Sequence, residues 1–445
     1  MKREIESFLI EWKDSTIRQP LLVRGARQVG KTFSIMQFGR KNFDNCIAIN
    51  FEEKPEYNQC FDNLDPKSII DKISILGNVN IIPGKTLLFF DEIQEYPRAI
   101  SSLRYFYEKL PELHIIGAGS LVEFALKSDN FKMPVGRVQS IYMHPLTFNE
   151  FLEAVNHSKL IEYLNTISPD DKIEEVYSKK LEELLRLYLV LGGMPKIIDA
   201  YVKNTSLNEI MFLQSSLLKT YEDDFAKYAS TANHKYLKEV FSSAPRMVGK
   251  RYKYTNVNAD IQSKYLKQSL DLLCDSSCIT KVSHSAGNGL PFEAEINDKK
   301  FKIIFLDVGL MQRALGLNNS IIFEKGLMQI NNGGVAEQFI GQELAALPNI
   351  YENKKLYFWT REAKGSNAEI DYLISIQNNP IPIEVKAGKT GTLRSMKLFL
   401  NEHPNCKFGV RFSMHDFSFY DNILSVPLYM VSQINRLVNL ILLKG

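Results

Sequence analysis

The stretch Pro-Leu-Leu-Val-Arg-Gly-Ala-Arg-Gln-Val-Gly-Lys-Thr at residues 20–32 decides the fold of the N-terminal part of this chain. An apolar run at 20–24 leads into a complete GxxxxGK(S/T) motif, and Phe-Ser-Ile-Met-Gln-Phe follows at 33–38. Such a loop turns sharply so that backbone N–H groups face phosphate, and the next helix adds its N-terminal dipole. The motif and its context therefore predict a phosphate-binding loop (P-loop) for a nucleotide.

The residues of this loop and two later acids have predicted roles in binding ATP and Mg²⁺. Lys31 would reach the β- and γ-phosphates, and the Thr32 hydroxyl would bind Mg²⁺. Asp91, after the apolar run 87–90, would hold that ion from its outer coordination shell, and Glu92 would orient and deprotonate a water. Glu92 could instead be a capping or ion-paired carboxylate. The predicted phosphate cradle comprises Gly25, Ala26, Arg27, Gln28, Val29, Gly30, Lys31 and Thr32.

Two further polar residues could contact the γ-phosphate. Ser120 follows the apolar run 114–117, where its hydroxyl would sense that phosphate, and Arg137 would stabilise charge on it from its own subunit or a neighbouring one. Each has an ordinary alternative, since a serine after a strand is often a helix cap and a lone arginine is often a surface ion pair. A role for Arg137 in a neighbouring subunit would require a homo-oligomer.

Length and composition exclude several classes of protein. The chain has 445 residues, of which 24% are charged and 45% hydrophobic, which excludes wholesale disorder and fibrous folds. No apolar run reaches the roughly 18 to 20 residues of a membrane span, and the N-terminus lacks a signal-peptide core, so we expect a cytoplasmic protein without membrane contact. The five scattered cysteines fit a reducing compartment. A net charge of +3 means that any nucleic-acid site must be local.

The pattern of apolar residues predicts four regions. Residues 1–155 alternate β-rich apolar runs with amphipathic stretches, which is typical of an α/β fold with a mostly parallel sheet. A helical lid or connector is expected next. Short helices and strands around the turn at 286–290 fit a winged-helix-like region, and a last α/β unit follows. The predicted boundaries are 1–155, 156–232, 233–330 and 331–445, and the predicted strands of the first region are 20–24, 46–51, 86–90, 114–117 and 138–143.

The C-terminal region places several acids and one lysine where they can converge. The run at 381–386 alternates, with Glu384 and Lys386 on one face. Glu369 and Asp371 would lie on the partner strand and Glu337 on the preceding helix, which gives three or four acids able to converge. Acids that hold Mg²⁺ (Glu337, Asp371, Glu384) and a lysine that orients a water (Lys386) are what phosphodiester cleavage requires. The alternative is an edge strand whose charges merely face solvent.

A basic segment in the third region could contact nucleic acid. Four basic residues fall within eight positions and alternate with Tyr252 and Tyr254, and the predicted helix 261–273 adds three polar side chains. Such a cluster can neutralise phosphates, and the release of counterions gives salt-sensitive affinity. A plain charged surface or a protein contact looks much the same. The residues concerned are Arg246, Lys250, Arg251 and Lys253, followed by Lys264, Lys267 and Gln268.

Short motifs are spread over nearly the whole chain. They are Phe-Phe-Asp-Glu-Ile-Gln at 89–94, Leu-Arg-Tyr-Phe-Tyr-Glu at 103–108, Ala-Gly-Ser-Leu-Val-Glu-Phe-Ala-Leu at 118–126, Pro-Val-Gly-Arg-Val at 134–138, Pro-Leu-Thr-Phe-Asn-Glu-Phe-Leu at 145–152, Leu-Gly-Gly-Met-Pro at 191–195, Thr-Tyr-Glu-Asp-Asp-Phe at 220–225, Ala-Glu-Gln-Phe at 336–339, Trp-Thr-Arg-Glu at 359–362, Asn-Ala-Glu-Ile-Asp at 367–371 and Ile-Glu-Val-Lys-Ala-Gly at 383–388. With the P-loop, they resemble prokaryotic AAA-type ATPases with a C-terminal domain of unknown function similar to PD-(D/E)xK restriction-endonuclease-like folds.

This resemblance implies an ATPase with a nuclease-like C-terminal domain. Lys31, Thr32, Asp91 and Glu92 would then take the nucleotide roles given above, and Arg137 becomes a stronger candidate for an arginine finger or sensor. The nuclease-like positions fall on Glu337, Asp371, Glu384 and Lys386. An intact motif does not establish cleavage, because many such folds only bind.

Three hypotheses for the function follow. The first is an ATPase whose nucleotide state controls a C-terminal domain that cuts or grips DNA. The second is an ATP-dependent regulator or scaffold whose C-terminal domain binds DNA or protein without cleavage. The third is a nucleotide-gated partner of a toxin-like or defence system, in which ATP binding matters more than turnover.

Overall fold

The computed structural model describes residues 1–126, 136–225, 231–316, 333–347, 355–361, 367–388 and 392–444. Within these ranges the strands form a five-stranded sheet and an eight-stranded sheet. Residues 134, 135 and 362 of the predicted motifs lie outside the described residues. No described helix is both long enough and apolar enough to cross a bilayer. All five cysteines carry free thiols.

The first sheet is parallel throughout and has the strand order β2-β3-β4-β1-β5. The three central strands are almost completely buried, and this explains why they appear in the sequence as continuous apolar runs, whereas the two edge strands are partly exposed. The predicted α/β fold with a parallel sheet is therefore confirmed. The strands are β1 (Leu21–Arg24), β2 (Asn45–Asn50), β3 (Thr86–Asp91), β4 (His114–Ala118) and β5 (Gln139–Tyr142), and the helices are α1 (Ile5–Asp14), α2 (Lys31–Asn42), α3 (Pro66–Gly77), α4 (Pro97–Lys109) and α5 (Val122–Leu126).

A helical segment follows the first sheet. Two of its helices begin with a capping box, formed by Thr147 with Glu150 and by Ser206 with Glu209. In each box the hydroxyl accepts a hydrogen bond from the backbone N–H of the glutamate, and the glutamate side chain accepts one from the backbone N–H of the capping residue. The third helix buries five leucines and one tyrosine, and it ends where Gly192 adopts a φ of 75°. The helices are α6 (Phe148–Ala154), α7 (Ser158–Thr166), α8 (Glu175–Leu191), α9 (Pro195–Val202) and α10 (Leu207–Asp224).

The second sheet is mixed, with the order β12-β13-β11-β10-β9-β8-β6-β7. Its strands are β6 (Ile279–Ser285), β7 (Ile296–Phe305), β8 (Leu356–Thr360), β9 (Glu369–Ile376), β10 (Asn379–Val385), β11 (Gly409–Ser413), β12 (Ser418–Tyr420) and β13 (Ile423–Pro427). The helices of this part of the chain are α11 (Thr231–Met247), α12 (Ser263–Asp275), α13 (Val308–Ala314), α14 (Gly334–Ala346), α15 (Arg394–Glu402) and α16 (Ile434–Lys444).

The β6–β7 hairpin belongs to this second sheet. β6 pairs in parallel with β8, with Val282 opposite Leu356, while β7 pairs antiparallel with the other edge of β6. This pairing satisfies backbone groups that an isolated hairpin would leave open at one edge. The sheet therefore crosses the boundary that the sequence predicts between residues 330 and 331.

Candidate functional site

The loop after β1 has the sharp turn that the sequence predicts. Gly25, Gln28 and Gly30 have φ angles of 138°, 60° and 97°. A Cβ atom on Gly25 would lie 2.1 Å from the carbonyl oxygen of Met143, so only glycine fits there. α2 begins at Lys31, directly after the loop, so the N-terminus of the helix adjoins the bend where phosphate is expected.

Two distant side chains hold the outer side of the loop. Nη1 of Arg3 donates to the carbonyl oxygen of Val29 at 2.8 Å, and the Tyr221 hydroxyl donates to that of Arg27 at 2.5 Å. In a trans peptide the C=O and N–H groups point in opposite directions, so fixing a carbonyl also fixes the next amide. Arg3 and Tyr221 are therefore positioning residues of the loop that the sequence does not single out, although Tyr221 lies in the motif at 220–225.

The buried side chain of Arg3 connects three segments of the chain through hydrogen bonds. Besides Val29 it donates from Nε to Glu150 Oε1 at 2.9 Å and from Nη2 to the carbonyl oxygen of His144 at 2.7 Å. Glu150 also completes the capping box of α6. One guanidinium thus joins the N-terminus, the P-loop and the first helix of the helical segment.

Lys31 lies beneath the loop. Its Nζ donates to the carbonyl oxygens of Gly25 at 2.9 Å and Ala26 at 2.8 Å. Burial lowers the pKa of Lys31 to about 8, and the nearby carboxylates of Glu92 and Asp91 oppose that shift. Glu92 and Asp91 therefore act electrostatically on the buried amine from the end of β3.

Thr32 and Asp91 meet at the carboxyl edge of the first sheet. The Thr32 hydroxyl donates to Asp91 Oδ2 at 3.0 Å, and burial raises the pKa of Asp91 while this hydrogen bond opposes the rise. A hydroxyl and a carboxylate side by side supply the oxygen donors that Mg²⁺ prefers. The residues present at this edge therefore fit a magnesium ion.

Glu92 has the geometry of an oriented carboxylate. Its φ of 46° turns the chain at the end of β3, and Gln94 Nε2 donates to Glu92 Oε2 at 2.7 Å. The side chain makes no capping hydrogen bond to the short 3-10 turn that follows. The structure thus brings Lys31, Thr32, Asp91 and Glu92 to one edge of the sheet.

Ser120 lies near the same edge, whereas Arg137 does not. The buried Ser120 hydroxyl has no hydrogen-bond partner among the described residues, and it lines a small gap with Arg27 and Tyr221. Arg137 precedes β5, which runs parallel to β1, so it lies at the opposite edge of the sheet from the P-loop. Its Nε is 3.2 Å from Glu108 Oε1 and its side chain is 44% exposed. Arg137 could act only on a phosphate bound to another copy of the chain.

The four predicted nuclease-like residues lie close together in the second sheet. Asp371 accepts a hydrogen bond at Oδ2 from the Val385 N–H at 2.8 Å, and Glu384 forms an ion pair with Lys386. Burial raises the pKa of Glu337 to about 7, with Lys302 opposing the shift. Burial followed by the charge of Asp371 raises the pKa of Glu384 to about 7 as well.

Lys302 and Glu369 complete this cluster, and of these two the sequence pattern indicates Glu369 but not Lys302. Lys302 Nζ is 2.8 Å from Glu337 Oε1, 2.5 Å from Glu369 Oε1 and 3.3 Å from Asp371 Oδ1. Burial disfavours the charged amine, yet the three carboxylates raise the pKa of Lys302 well above its usual value. A lysine within the apolar run 301–306 is the sequence signal that could have identified it.

The cluster does not fit a divalent metal ion. No group of three His, Cys, Asp or Glu side chains among the described residues is arranged to hold a metal. An ammonium group already occupies the point on which the three carboxylates converge. The Mg²⁺ predicted for Glu337, Asp371 and Glu384 therefore has no support in this geometry.

The basic segment is exposed and lies beside the carboxylate cluster. Its four basic side chains face solvent, whereas Tyr252 is buried and stacks on Phe301 with ring centroids 5.1 Å apart. Arg251 Nε is 3.8 Å from Glu369 Oε2. The four basic side chains are thus exposed, while Tyr252 is part of the core and unavailable to stack on a base.

Three family models match consecutive parts of the chain. Residues 17–152 match the model described as AAA domain, residues 182–321 match a domain of unknown function (DUF8612), and residues 332–431 match a domain of unknown function (DUF4143). The first match covers the parallel sheet and the P-loop, so this part of the chain is similar to AAA domains and has an α/β fold with a parallel sheet. The other two descriptions name no nuclease, winged helix or ligand.

Several solved structures are similar to this chain, with low sequence identity and low TM-scores. A Walker-type ATPase of Pyrococcus abyssi is 16% identical, with 71% of this chain and 95% of that chain covered and a TM-score of 0.45. The Aeropyrum pernix ORC1 protein in complex with DNA is 11% identical (71% and 90% covered, TM-score 0.30), and AMPPCP-bound DnaA from Aquifex aeolicus is 12% identical (62% and 89% covered, TM-score 0.29). TM-scores below 0.5 are too low to transfer contacts or function. No curated protein matches this chain.

Proposed function

We propose that the AAA domain binds ATP and hydrolyses it, with Mg²⁺ held by Thr32 and Asp91. The observation that carries this proposal is the 3.0 Å contact between the Thr32 hydroxyl and Asp91 Oδ2. It joins the end of the P-loop to the end of β3, so the ligands for nucleotide and metal share one edge of the sheet. A glycine-rich turn that binds no nucleotide would not need a carboxylate beside the Thr32 hydroxyl.

The protein groups at this edge have separable tasks. The loop amides and the N-terminus of α2 bind the phosphates, and Lys31 exchanges its carbonyl partners for phosphate oxygens. Mg²⁺, when bound, neutralises charge on the β- and γ-phosphates. Glu92, fixed by Gln94, accepts a proton from the water that attacks the γ-phosphate, and the unpartnered Ser120 hydroxyl is free to donate to that phosphate.

Replacing the proposed base tests hydrolysis separately from binding. Glu92→Gln keeps the loop and the Thr32–Asp91 pair but removes the base, so we expect ATP turnover to fall about 100-fold or more while affinity for ATP is retained. Phosphate release measures the turnover, and the binding of a fluorescent ATP analogue measures the affinity. Glu112→Gln, at an exposed position near the opposite edge of the sheet, is the control. Unchanged turnover in Glu92→Gln would show that another group is the base.

We also propose that the C-terminal half binds nucleic acid without cutting it, under the control of the nucleotide. Arg246, Lys250, Arg251 and Lys253 are all exposed on one segment, and this observation favours a contact with phosphates. Cleavage that depends on Mg²⁺ is less well supported, because Lys302 occupies the centre of the carboxylate cluster. Of the hypotheses drawn from the sequence, this favours the ATP-dependent regulator that binds without cleavage.

The salt dependence of binding tests the nucleic-acid contact. Each lysine or arginine that meets a phosphate contributes about one unit to the slope of log K against log salt. We therefore expect Lys250→Ala/Arg251→Ala to weaken DNA binding and to reduce the slope by about two. Lys179→Ala/Lys180→Ala, on helix α8, should leave the DNA affinity and the slope unchanged. Binding that is equal in the two double variants would exclude the basic segment as the contact surface.

A further inference from the structure

The carboxylate cluster of the second sheet is built around a single ammonium group. Glu337 on α14, and Glu369 and Asp371 on β9, each place an oxygen within 3.3 Å of Lys302 Nζ. An ammonium group has three hydrogens to donate, so these three acceptors use its full capacity. Lys302 also lies over the ring of Phe358, with Nζ 5.4 Å from the ring centroid.

Lys302 is fixed in this position by its surroundings. The side chain is only 1% exposed, and the residue lies in the β6–β7 pair opposite Val282. If the amine swung out to solvent, the buried Glu337 and the half-buried Glu369 and Asp371 would lie close together without this cation, which is unfavourable. The ammonium is therefore part of the folded core of the second sheet.

A divalent cation would need the same oxygens. Mg²⁺ takes six oxygen ligands at about 2.0 to 2.1 Å in octahedral geometry, and Ca²⁺ takes more at slightly greater distances. In this cluster the oxygens of Glu337, Glu369 and Asp371 point to Lys302, and the second oxygen of Asp371 accepts the Val385 N–H. Glu384 Oε2 is the one fully buried carboxylate oxygen of the cluster without a hydrogen-bond partner among the described residues, and one such oxygen does not make a metal site.

We infer that Lys302 takes the place of a divalent cation in the C-terminal carboxylate cluster, and that this cluster binds no divalent metal. The cation that these acids share comes from within the chain, and the cluster cannot generate a metal-bound hydroxide for attack on a phosphodiester. The inference is independent of ATP hydrolysis, because it concerns only the second sheet.

Titration with Mn²⁺ in the absence of nucleotide tests the inference. Free Mn²⁺ is measured by electron paramagnetic resonance with the wild-type protein, with Lys302→Met and with Lys299→Met. Lys299 is an exposed residue of the same strand and serves as the matched control. The double variant Lys302→Met/Asp371→Asn assigns any new site to the cluster. Circular dichroism verifies that each variant is folded.

We expect wild type and Lys299→Met to bind Mn²⁺ no more tightly than about 1 mM, which is weak for a protein carboxylate site. Lys302→Met should bind at least about tenfold more tightly, because the carboxylates then need a cation, and Asp371→Asn should remove that gain. A folded Lys302→Met that binds no better than wild type would contradict the inference.

A second measurement does not depend on the folding of Lys302→Met. The unfolding midpoint of the wild-type protein is compared in EDTA and in millimolar Mn²⁺. We expect no difference, since the ammonium already occupies the point on which the three carboxylates converge. A rise in the midpoint with Mn²⁺ that disappears in Glu337→Gln would overturn the inference, because it would show a metal bound to these acids in the intact protein.

Discussion

The hydroxyl of Tyr221 and the guanidinium of Arg3 show how single side chains set the shape of the phosphate-binding loop. Both donate to loop carbonyls from distant parts of the chain. The sequence predicts the loop from its glycines, because their spacing is local. It cannot predict the two donors, because their distance from the loop is decided only when helices pack. The apolar run 301–306 marks Lys302 as unusual, but the sequence cannot predict its carboxylate partners, because they come from other elements.

Removing the Tyr221 hydroxyl tests whether it positions the loop. Tyr221→Phe keeps the ring packed against Phe241 but loses one hydrogen bond worth about 1 kcal/mol, so ATP affinity should fall roughly three- to tenfold. Calorimetric titration with ATP measures the change. Tyr201→Phe, on α9, is the control. Equal affinities in the two variants would mean that Tyr221 has no part in shaping the loop.

His114 makes stability depend on pH in a defined range. It is buried between the rings of Trp12 and Phe43, and burial, with the charge of Arg18, lowers its pKa to about 4. The unfolded chain has a histidine pKa of about 6.5, so the contribution is complete above that pH and is lost as pH falls from 6.5 to 4. The full effect is up to about 3 kcal/mol.

The pH dependence is measured as the unfolding midpoint of wild type and His114→Gln at several pH values. We expect the midpoint of wild type to fall more steeply between pH 6.5 and 4 than that of the variant. The variant keeps some slope because His144 also has a pKa lowered to about 4 by burial. Identical slopes would indicate that His114 can be protonated in the folded protein.

At the scale of elements, the junction between α8 and α13 joins the helical segment to the second sheet. Gly192 and Gly193 end α8, and Asp307 caps α13 through the Leu310 N–H while accepting the Gly193 N–H at 2.6 Å. A Cβ on Gly193 would lie 2.1 Å from the carbonyl oxygen of Leu146. The motif at 191–195 thus has a structural reason, because the two glycines allow three backbone segments to approach closely.

Gly193→Ala should destabilise the fold at this junction. The added methyl group meets backbone on one side, so we expect a loss of about 3 kcal/mol or more in the free energy of unfolding. Gly289→Ala, where a Cβ would meet nothing within 4 Å, should cost little. Denaturant unfolding compares the two. A small loss in Gly193→Ala would show that the backbone at Leu146 can move aside.

The elements themselves were predicted unequally well. The five strands of the first sheet were predicted to within about two residues, because buried parallel strands are short apolar runs between polar stretches. The partner of the β6–β7 hairpin could not be predicted, because pairing with β8 depends on hydrogen bonds between segments more than 70 residues apart. The alternation of apolar and charged residues at 381–386 predicts strand β10 and the side on which Glu384 lies. It does not predict that Lys302 is the cation beside the neighbouring carboxylates.

At the scale of the whole molecule, contacts run from the P-loop to the second sheet. Arg27 in the loop forms ion pairs with Asp224 at the end of α10 and with Glu52. α10 packs on α13, and Gln312 of α13 donates to the carbonyl oxygen of Leu189. A cavity of about 160 Å³ separates the start of the loop from β6 and β7. A change in the loop on binding nucleotide therefore has a packed route to the second sheet.

This route predicts that nucleic acid alters ATP turnover. We expect turnover to change when DNA is added to the wild-type protein and to stay constant in Lys250→Ala/Arg251→Ala, because the variant lacks the phosphate contacts. Phosphate release with and without DNA is the measurement, with Lys179→Ala/Lys180→Ala as control. A response to DNA that is equal in all three proteins would place the contact elsewhere.

The binding of ATP to the P-loop is the claim on which the rest depends, and calorimetry with wild type and Lys31→Ala tests it most directly. We expect wild type to bind ATP in the presence of Mg²⁺, and Lys31→Ala to bind at least about tenfold more weakly, because the loop then lacks its buried cation. Equal affinity in the two proteins, or no binding by folded wild type, would contradict the account.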